Sequence, residues 1–278
     1  MAKRNRGTTK KKIEKWTLEG RGQGVGEDYK PWLTIQDVPS EGITPRHKGW
    51  KTGRIHHLMS QLELHYLYEL EWSQAVIDIR EQYPLLPLER TIEIAESLGI
   101  KHPNDPKTQE PIVMTTDFMI STKSSSNDQL FARQIKPTNK LNKREIEKFA
   151  IEQQFYKEQG IDWGIVTEKQ RDEVFIKNIE WLYNARYLEY FPSLNIRTVE
   201  RVAPTLLTSI RKSKDPLALI ALDCDSKFGF QDGSCLFIVK HMLANKYWGV
   251  DINKKIDPMR NIEIELINMR EKGGTSLG

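Results

Sequence analysis

The sequence predicts an α/β protein, a mixed sheet flanked by helices and followed by a smaller α+β domain. Three observations point there. Between residues 56 and 169 helical and strand periodicities alternate in the order helix, strand, strand, strand, helix, strand, with a short helical pattern after the first strand. From Thr198 onward three helical patterns precede two short strand patterns. At 278 residues the chain is long enough for two domains, since one domain commonly takes ~100–200 residues.

The elements follow in order. Residues 1–15, MAKRNRGTTKKKIEK, hold seven Lys or Arg against Glu14, a local net charge of +6 in a chain of net +4. Residues 1–19 therefore read as a basic flexible tail able to meet a polyanion. Glycines and prolines interrupt every period between Gly20 and Gly53, which reads as an ordered arm rather than a core. GRGQGVG within it superficially suggests a phosphate loop, but it lacks a preceding strand and a following Lys-Ser/Thr pair, which argues against nucleotide binding.

HHLMSQLELHYLYELEW, residues 56–72, predicts a helix with Met59, Leu62, Tyr66 and Leu70 on one stripe and Glu63 in or beside it. AVIDIR, residues 75–80, alternates as a half-exposed strand does, and ERTIEIAESLG predicts a short helix ending at Gly99. Two strand-like segments follow in MTTDFMISTKSSSNDQLFARQIKPTNK, joined by serines. A helix is expected from about Asn142 to Gln159, with Ile146, Phe149 and Tyr156 inward and Gly160 as its stop, then a strand in DWGIVTEK. The C-terminal helices lie in TVERVAPTLLTSIRKS, PLALIALDCDSKFG and DGSCLFIVKHMLANK, and the strands in YWGVDINKKID and RNIEIELI. Three helices and a hairpin read most economically as a winged-helix-like module. Its helix with Lys240, His241 and Lys246 carries few basic residues for reading DNA, which favours partner docking over DNA recognition.

Cys224 and Cys235, the only cysteines, have no metal-site spacing and read as buried thiols of a reducing compartment. No apolar run approaches the ~20 residues that span a bilayer, so no membrane role is expected.

The chemistry lies in the serine-joined pair of strands. Hydrolysis of a phosphodiester needs a nucleophilic water, neutralisation of charge on the phosphoryl oxygens and help for the leaving oxygen, which divalent metals on hard oxygen ligands supply. Asp117 is such a ligand; Gln134 offers an amide oxygen and Ile135 a backbone carbonyl. Lys136 falls two residues after Gln134, on the same strand face, where an ammonium can orient water or stabilise the transition state. Glu63 completes the acidic set, and Glu152 is a candidate for outer contact, its competing reading being a solvated helix carboxylate.

This constellation resembles the PD-(D/E)xK metallonuclease superfamily, with Thr116 where that superfamily often has Pro and Gln134 where it usually has Asp or Glu. More closely, the chain resembles the TnsA family, endonuclease subunits of Tn7-like heteromeric transposases, in which Gln is characteristic at that position. The segments that carry this resemblance are EGRGQGVGEDYKPWLTIQDVPSEG, WKTGRIHHLMSQLEL, DIREQYPLLP, SLGIKHP, TTDFMI, RQIKP and KNIEWLY, over most of residues 17–185.

The resemblance implies a restriction-endonuclease-like fold and a catalytic set of Glu63, Asp117, Gln134 and Lys136 with Mg2+, or Mn2+, as cofactor. It further implies cleavage of double-stranded DNA near the 5′ ends of a transposon, in a bacterial cytoplasm at the nucleoid. A TnsB-like recombinase subunit would cut the 3′ ends and a TnsC-like AAA+ regulator would license the reaction. Residues 20–186 are then the endonuclease domain with its arm, and 187–278 the partner-docking domain. Lys10, Lys11, Lys12, Arg46, Lys48, Lys51 and Arg54 are the expected DNA contacts, because the acidic cluster needs a basic lining. Two other classes stay open: a stand-alone restriction or repair nuclease, and a non-catalytic DNA-binding assembly protein.

Overall fold

In a computed structural model of the chain, residues 7–38, 46–124 and 128–266 are described, and they divide into two compact units at Arg171/Asp172. The division falls before the expected 186/187 because the helix at 173–183 packs with the C-terminal helices.

The first unit is built on a four-stranded sheet, β3 (Val76–Pro84), β4 (Thr115–Thr122), β5 (Gln129–Ile135) and β6 (Asp162–Val166), in that order. The first two pairings are antiparallel and β5–β6 is parallel, so the sheet is mixed as expected. A parallel neighbour requires a crossover, and α4 (Lys143–Glu158) supplies it. Alternation along β4 sends neighbours to opposite faces. Met119 joins Ile94 of α3 (Leu88–Ser97) and Ile151 and Phe155 of α4 in one core cluster. Phe118 meets Tyr66 of α2 (Gln61–Trp72) edge-on at 5.7 Å on the other side.

Several expectations change under tertiary packing. The α2 helix starts at Gln61, because residues 55–57 form β2 (Ile55–His57), paired antiparallel with β1 (Arg46–Lys48). Its buried positions are Glu63, Leu64, Leu67, Tyr68, Leu70 and Glu71, so the stripe lies one step round from the expected one. In β3 a register shift between Val76 and Asp78 breaks the alternation: Ile77 is exposed, and Asp78 is buried beside Ile79. On α4, Phe149 and Tyr156 are buried as expected, but Ile146 is exposed. Gly99 and Gly160 do end their helices, each with a positive φ, and the Ile161 amide returns to the Tyr156 carbonyl at 3.0 Å.

The N-terminal region departs most. Residues 1–6 of the expected tail lie outside the described residues, but Lys10–Leu18 form α1, capped by Thr9 and anchored by buried Trp16. Trp16 meets Trp32 at 5.3 Å, and both pack with Val113. The arm is therefore part of a core, and it runs along the edge strand: Tyr29 Oη donates to the Glu81 carbonyl and the Trp32 amide to that of Gln82.

The second unit holds α5 (Glu173–Tyr183), α6 (Ile196–Lys212), α7 (Leu217–Phe228) and α8 (Ser234–Ala244). A stripe of Val199, Val202, Ala203, Leu206, Leu207 and Ile210 buries one face of α6. Buried Asp225 of α7 accepts from the Gly233 and Cys235 amides at the start of α8. Buried Asn178 of α5 clasps the loop at Ile252, Lys254 and Ile256. The expected strands shrink to two-residue β7 (Trp248–Gly249) and β8 (Glu265–Leu266), and the RNIEIELI pattern ends outside the described residues at 267. Both cysteines are buried free thiols. Among the described residues no helix is long and apolar enough to cross a membrane.

Candidate active site

Glu63 is placed by the capping of its own helix. Ser60, the N-cap of α2, accepts from the Glu63 amide at 3.1 Å and donates its hydroxyl to Glu63 Oε1 at 2.9 Å, while the Met59 amide donates to Oε2 at 2.7 Å. The carboxyl is only 4% exposed. Burial first, and then the charge of Asp117, push its pKa up to about 8. The charge of Asp117, 54 positions further along the chain, thus acts on Glu63.

Asp117 sits in the middle of the sheet. Its Oδ2 accepts from the Ile135 amide at 2.7 Å and its Oδ1 from Gln82 Nε2 at 3.2 Å. Burial raises its pKa to about 6; the Ile135 amide, the Gln82 amide and the Lys136 charge oppose that rise. Gln134 Oε1 accepts from the Asp117 backbone amide at 3.2 Å, which occupies one of that oxygen's two lone pairs. Lys136 lies just past β5, its backbone amide bonded to the Val166 carbonyl at 2.9 Å. Its Nζ is 2.5 Å from Glu145 Oε2, and Lys148 reaches the other oxygen of the same carboxylate. Burial raises and the two ammonium groups lower the Glu145 pKa, with a net fall.

Glu152 is no solvated carboxylate. It is buried, and the Thr116 hydroxyl donates to its Oε1 at 2.6 Å from the residue next to Asp117. Burial raises its pKa to about 8 against that hydrogen bond, with Asp117 adding repulsion.

The structure sets Asp117 of β4 against Gln134 and Ile135 at the end of β5, with Lys136 following, Glu63 in the first turn of α2, and Glu152 in the middle of α4 bonded to Thr116. Sequence reasoning missed Gln82, Glu145 and Glu81. Glu145 carried a signal of another kind, standing three residues after the helix-capping Asn142, where a carboxylate reads as a cap. Gln82 and Glu81 carried none, because their partners lie far along the chain, on β4 for Gln82 and at β2 for Glu81.

The expected DNA contacts scatter. Arg54 forms a bidentate pair with Glu81, at 2.7 and 2.5 Å, and also holds the Ile79 carbonyl, so it is a structural cation rather than part of a phosphate lining. Lys51 Nζ donates to the Ser73 carbonyl at 2.7 Å. Lys12 lies 4.5 Å over the Trp16 ring, and Lys48 is half-buried in β1. Lys10, Lys11 and Arg46 are exposed.

Residues 73–168 match the family description "TnsA-like endonuclease N terminal" and residues 172–252 match "TnsA endonuclease C terminal". Over 275 residues, 98% of each chain, the protein is 36% identical to the Transposon Tn7 transposition protein TnsA of Escherichia coli. The chain belongs to the TnsA endonuclease family. Its two compact units meet at Arg171/Asp172, between the two matched segments. As a TnsA-type endonuclease it hydrolyses phosphodiesters, and membership implies a divalent metal cofactor. Asp117, Gln134, Lys136 and Glu152 lie inside the N-terminal match; Glu63 precedes it but falls within the full-length likeness.

Among the described residues no three His, Cys, Asp or Glu side chains are grouped to hold a metal. The donor chemistry nevertheless suits a hard divalent cation: two buried carboxylates with raised pKa values, an amide oxygen and a peptide carbonyl, all oxygen.

Proposed function

We propose that this TnsA-family endonuclease cuts double-stranded DNA near the 5′ ends of a transposon, as the nuclease subunit of a heteromeric cut-and-paste transposase in the bacterial cytoplasm. Its partners are a TnsB-like recombinase, which cuts and joins the 3′ ends, and a TnsC-like AAA+ regulator docked by the C-terminal unit. The observation that supports the site most directly is the setting of Asp117, whose Oδ2 accepts the Ile135 amide at 2.7 Å and whose own amide donates to Gln134 Oε1 at 3.2 Å, just before Lys136. Its charge adds to burial in raising the pKa of Glu63. With a pKa raised to about 8, Glu63 keeps its proton at neutral pH unless a cation shares the site.

In this reading Glu63, Asp117, the Gln134 side chain and the Ile135 carbonyl hold Mg2+, with Mn2+ a substitute. The metal when bound supplies Lewis-acid polarisation of the phosphodiester and activation of water. The protein supplies the rest. Ser60 and the Met59 amide fix the Glu63 carboxylate, and the Ile135 amide fixes Asp117. Lys136, steadied by Glu145, places an ammonium where the attacking water and the phosphoryl oxygens gather. Glu152 holds the Thr116 hydroxyl and so steadies the strand immediately before Asp117.

The deciding experiment is cleavage of a transposon-end duplex with and without the TnsB-like recombinase, mapping the strand cut. Cutting at the 5′ end only when the recombinase is present is expected. Cutting of unrelated duplex by the chain alone would assign it instead to the stand-alone nucleases.

A further inference from the structure

Gln82 stands within the edge strand β3 with a backbone φ of 48°. A buried residue that carries a Cβ adopts this left-handed conformation only when its surroundings over-determine it. Here they do. The preceding Glu81 is held by Arg54, His56 and the His57 amide. The Gln82 carbonyl accepts the Trp32 amide from the N-terminal arm at 3.2 Å, and Tyr83 stacks on Tyr29 of the same arm at 6.3 Å.

The side chain is as constrained as the backbone. Pairing of Glu81 with Phe118 and of Tyr83 with Thr116 sets Gln82 opposite Asp117. The residue is 3% exposed, its Nε2 donates to Asp117 Oδ1, and its Oε1 accepts the Thr115 hydroxyl at 3.3 Å. With the Ile135 amide on Oδ2, each Asp117 oxygen has one fixed donor, which sets the plane of the carboxylate and the direction of its remaining lone pairs.

We infer that Gln82 is the positioning residue of the active site, its strained backbone clasped by the N-terminal arm so that its amide aims Asp117 at the metal and the scissile phosphate. This rests on the reading of Asp117 as a metal ligand. Gln82 touches neither substrate nor metal; it acts through Asp117. The geometry also links the arm to the chemistry, since Trp32 and Tyr29 hold the strand on both sides of the left-handed turn.

Two variants separate positioning from packing. Gln82→Asn tolerates the left-handed backbone better than glutamine does but is one methylene too short to reach Asp117. Gln82→Glu keeps the volume and replaces the donor by an acceptor facing a carboxylate. Each is compared with the wild type and Asp117→Ala by single-turnover cleavage of a transposon-end duplex with the recombinase present, by duplex binding without metal, and by melting of the metal-free protein.

For Gln82→Asn the expectation is a cleavage rate lower by about tenfold to a hundredfold, the range of a lost hydrogen bond to a charged group, with duplex affinity and melting temperature held. Gln82→Glu is expected to cleave no faster than Gln82→Asn. If either Gln82 variant folds and cleaves at the wild-type rate while Asp117→Ala is inactive, the positioning role is overturned and the metal-ligand reading stands. Loss of melting temperature and activity in parallel in both variants also overturns it, leaving Gln82 a packing residue. Cleavage by Asp117→Ala would remove the ligand reading itself, and the inference with it.

Discussion

Two of the places where the first unit buries carboxylates treat them oppositely. Glu81 is fully buried, with its partners built in: a bidentate Arg54, and His56 Nδ1 at 2.8 Å. Burial alone would raise its pKa, but His56 and Arg54 hold it well below the usual carboxylate range. Glu63 and Asp117 are buried to a similar degree, and among the described residues the donors to their oxygens are neutral. Their pKa values rise instead, to about 8 and about 6. One site is electrostatically closed and supports the fold. The other is short of positive charge, the condition expected of a cavity that takes up a cation in order to work.

The largest expected effect comes from opening that second site further. Asp117→Ala should lower duplex cleavage by at least about a thousandfold while leaving the melting temperature within a few degrees, because it removes an oxygen ligand and no large apolar volume. Retained cleavage with normal melting would place the metal elsewhere. Glu81→Ala should do the reverse. Removing one partner of a buried ion pair strands Arg54 and His56 and costs about 3–5 kcal/mol of stability, read as a large fall in the urea midpoint. A Glu81→Ala protein as stable as the wild type would mean that the pairing adds nothing net, and the contrast would fail.

Glu152 sharpens the comparison by its pH dependence. Its folded pKa, about 8, lies above the ordinary glutamate value of 4.5. Below the ordinary value both folded and unfolded chains are protonated and nothing is lost. Between the two values the unfolded chain releases its proton and the folded one keeps it, so stability falls as pH rises and levels off above the folded value. Glu152→Gln escapes that loss and should gain stability on the wild type from pH 5 to pH 8, by an amount on the order of a few kcal/mol at most, read as a growing difference in melting temperature. A constant difference across the range would show that Glu152 keeps an ordinary pKa. The smallest effect is expected of Gln134→Glu, which adds a charge to a cation-poor site and should lower the metal concentration for half-maximal binding by several-fold, about 1 kcal/mol. An unchanged titration would assign the ligand role at that position to the Ile135 carbonyl.

Much of the fold was legible because it is written locally. Helix periodicity placed α4, α6, α7 and α8 within a few residues, since one buried face per helix leaves a 3.6-residue trace in the chain. The Asp117 and Gln134-Ile135-Lys136 pattern pointed to the candidate site because a strand period of two and a hard-oxygen donor set are both properties of neighbouring residues. Misreadings began where one element's face was decided by another. The register shift at Val76/Asp78 turned Asp78 inward, and the closure of β2 on β1 delayed the start of α2 to Gln61.

The chain alone made legible the class of the fold, the succession of the central strands with their flanking helices, and the candidate donors. How each charge is partnered was settled by tertiary contacts. Arg54 looked available to a phosphate until Glu81 claimed it from 27 residues away, and Lys136 is steadied by Glu145 from the next helix. The basic segment around Trp16 became a capped helix because Trp32 and Val113 give that ring an apolar seat. The left-handed turn at Gln82 depends on Trp32, Tyr29 and Asp117 together, none of them its neighbour in the chain. Periodicity reports which side of an element is buried. Which partner waits there is set by contacts between residues far apart in sequence, and a single chain carries no local trace of them.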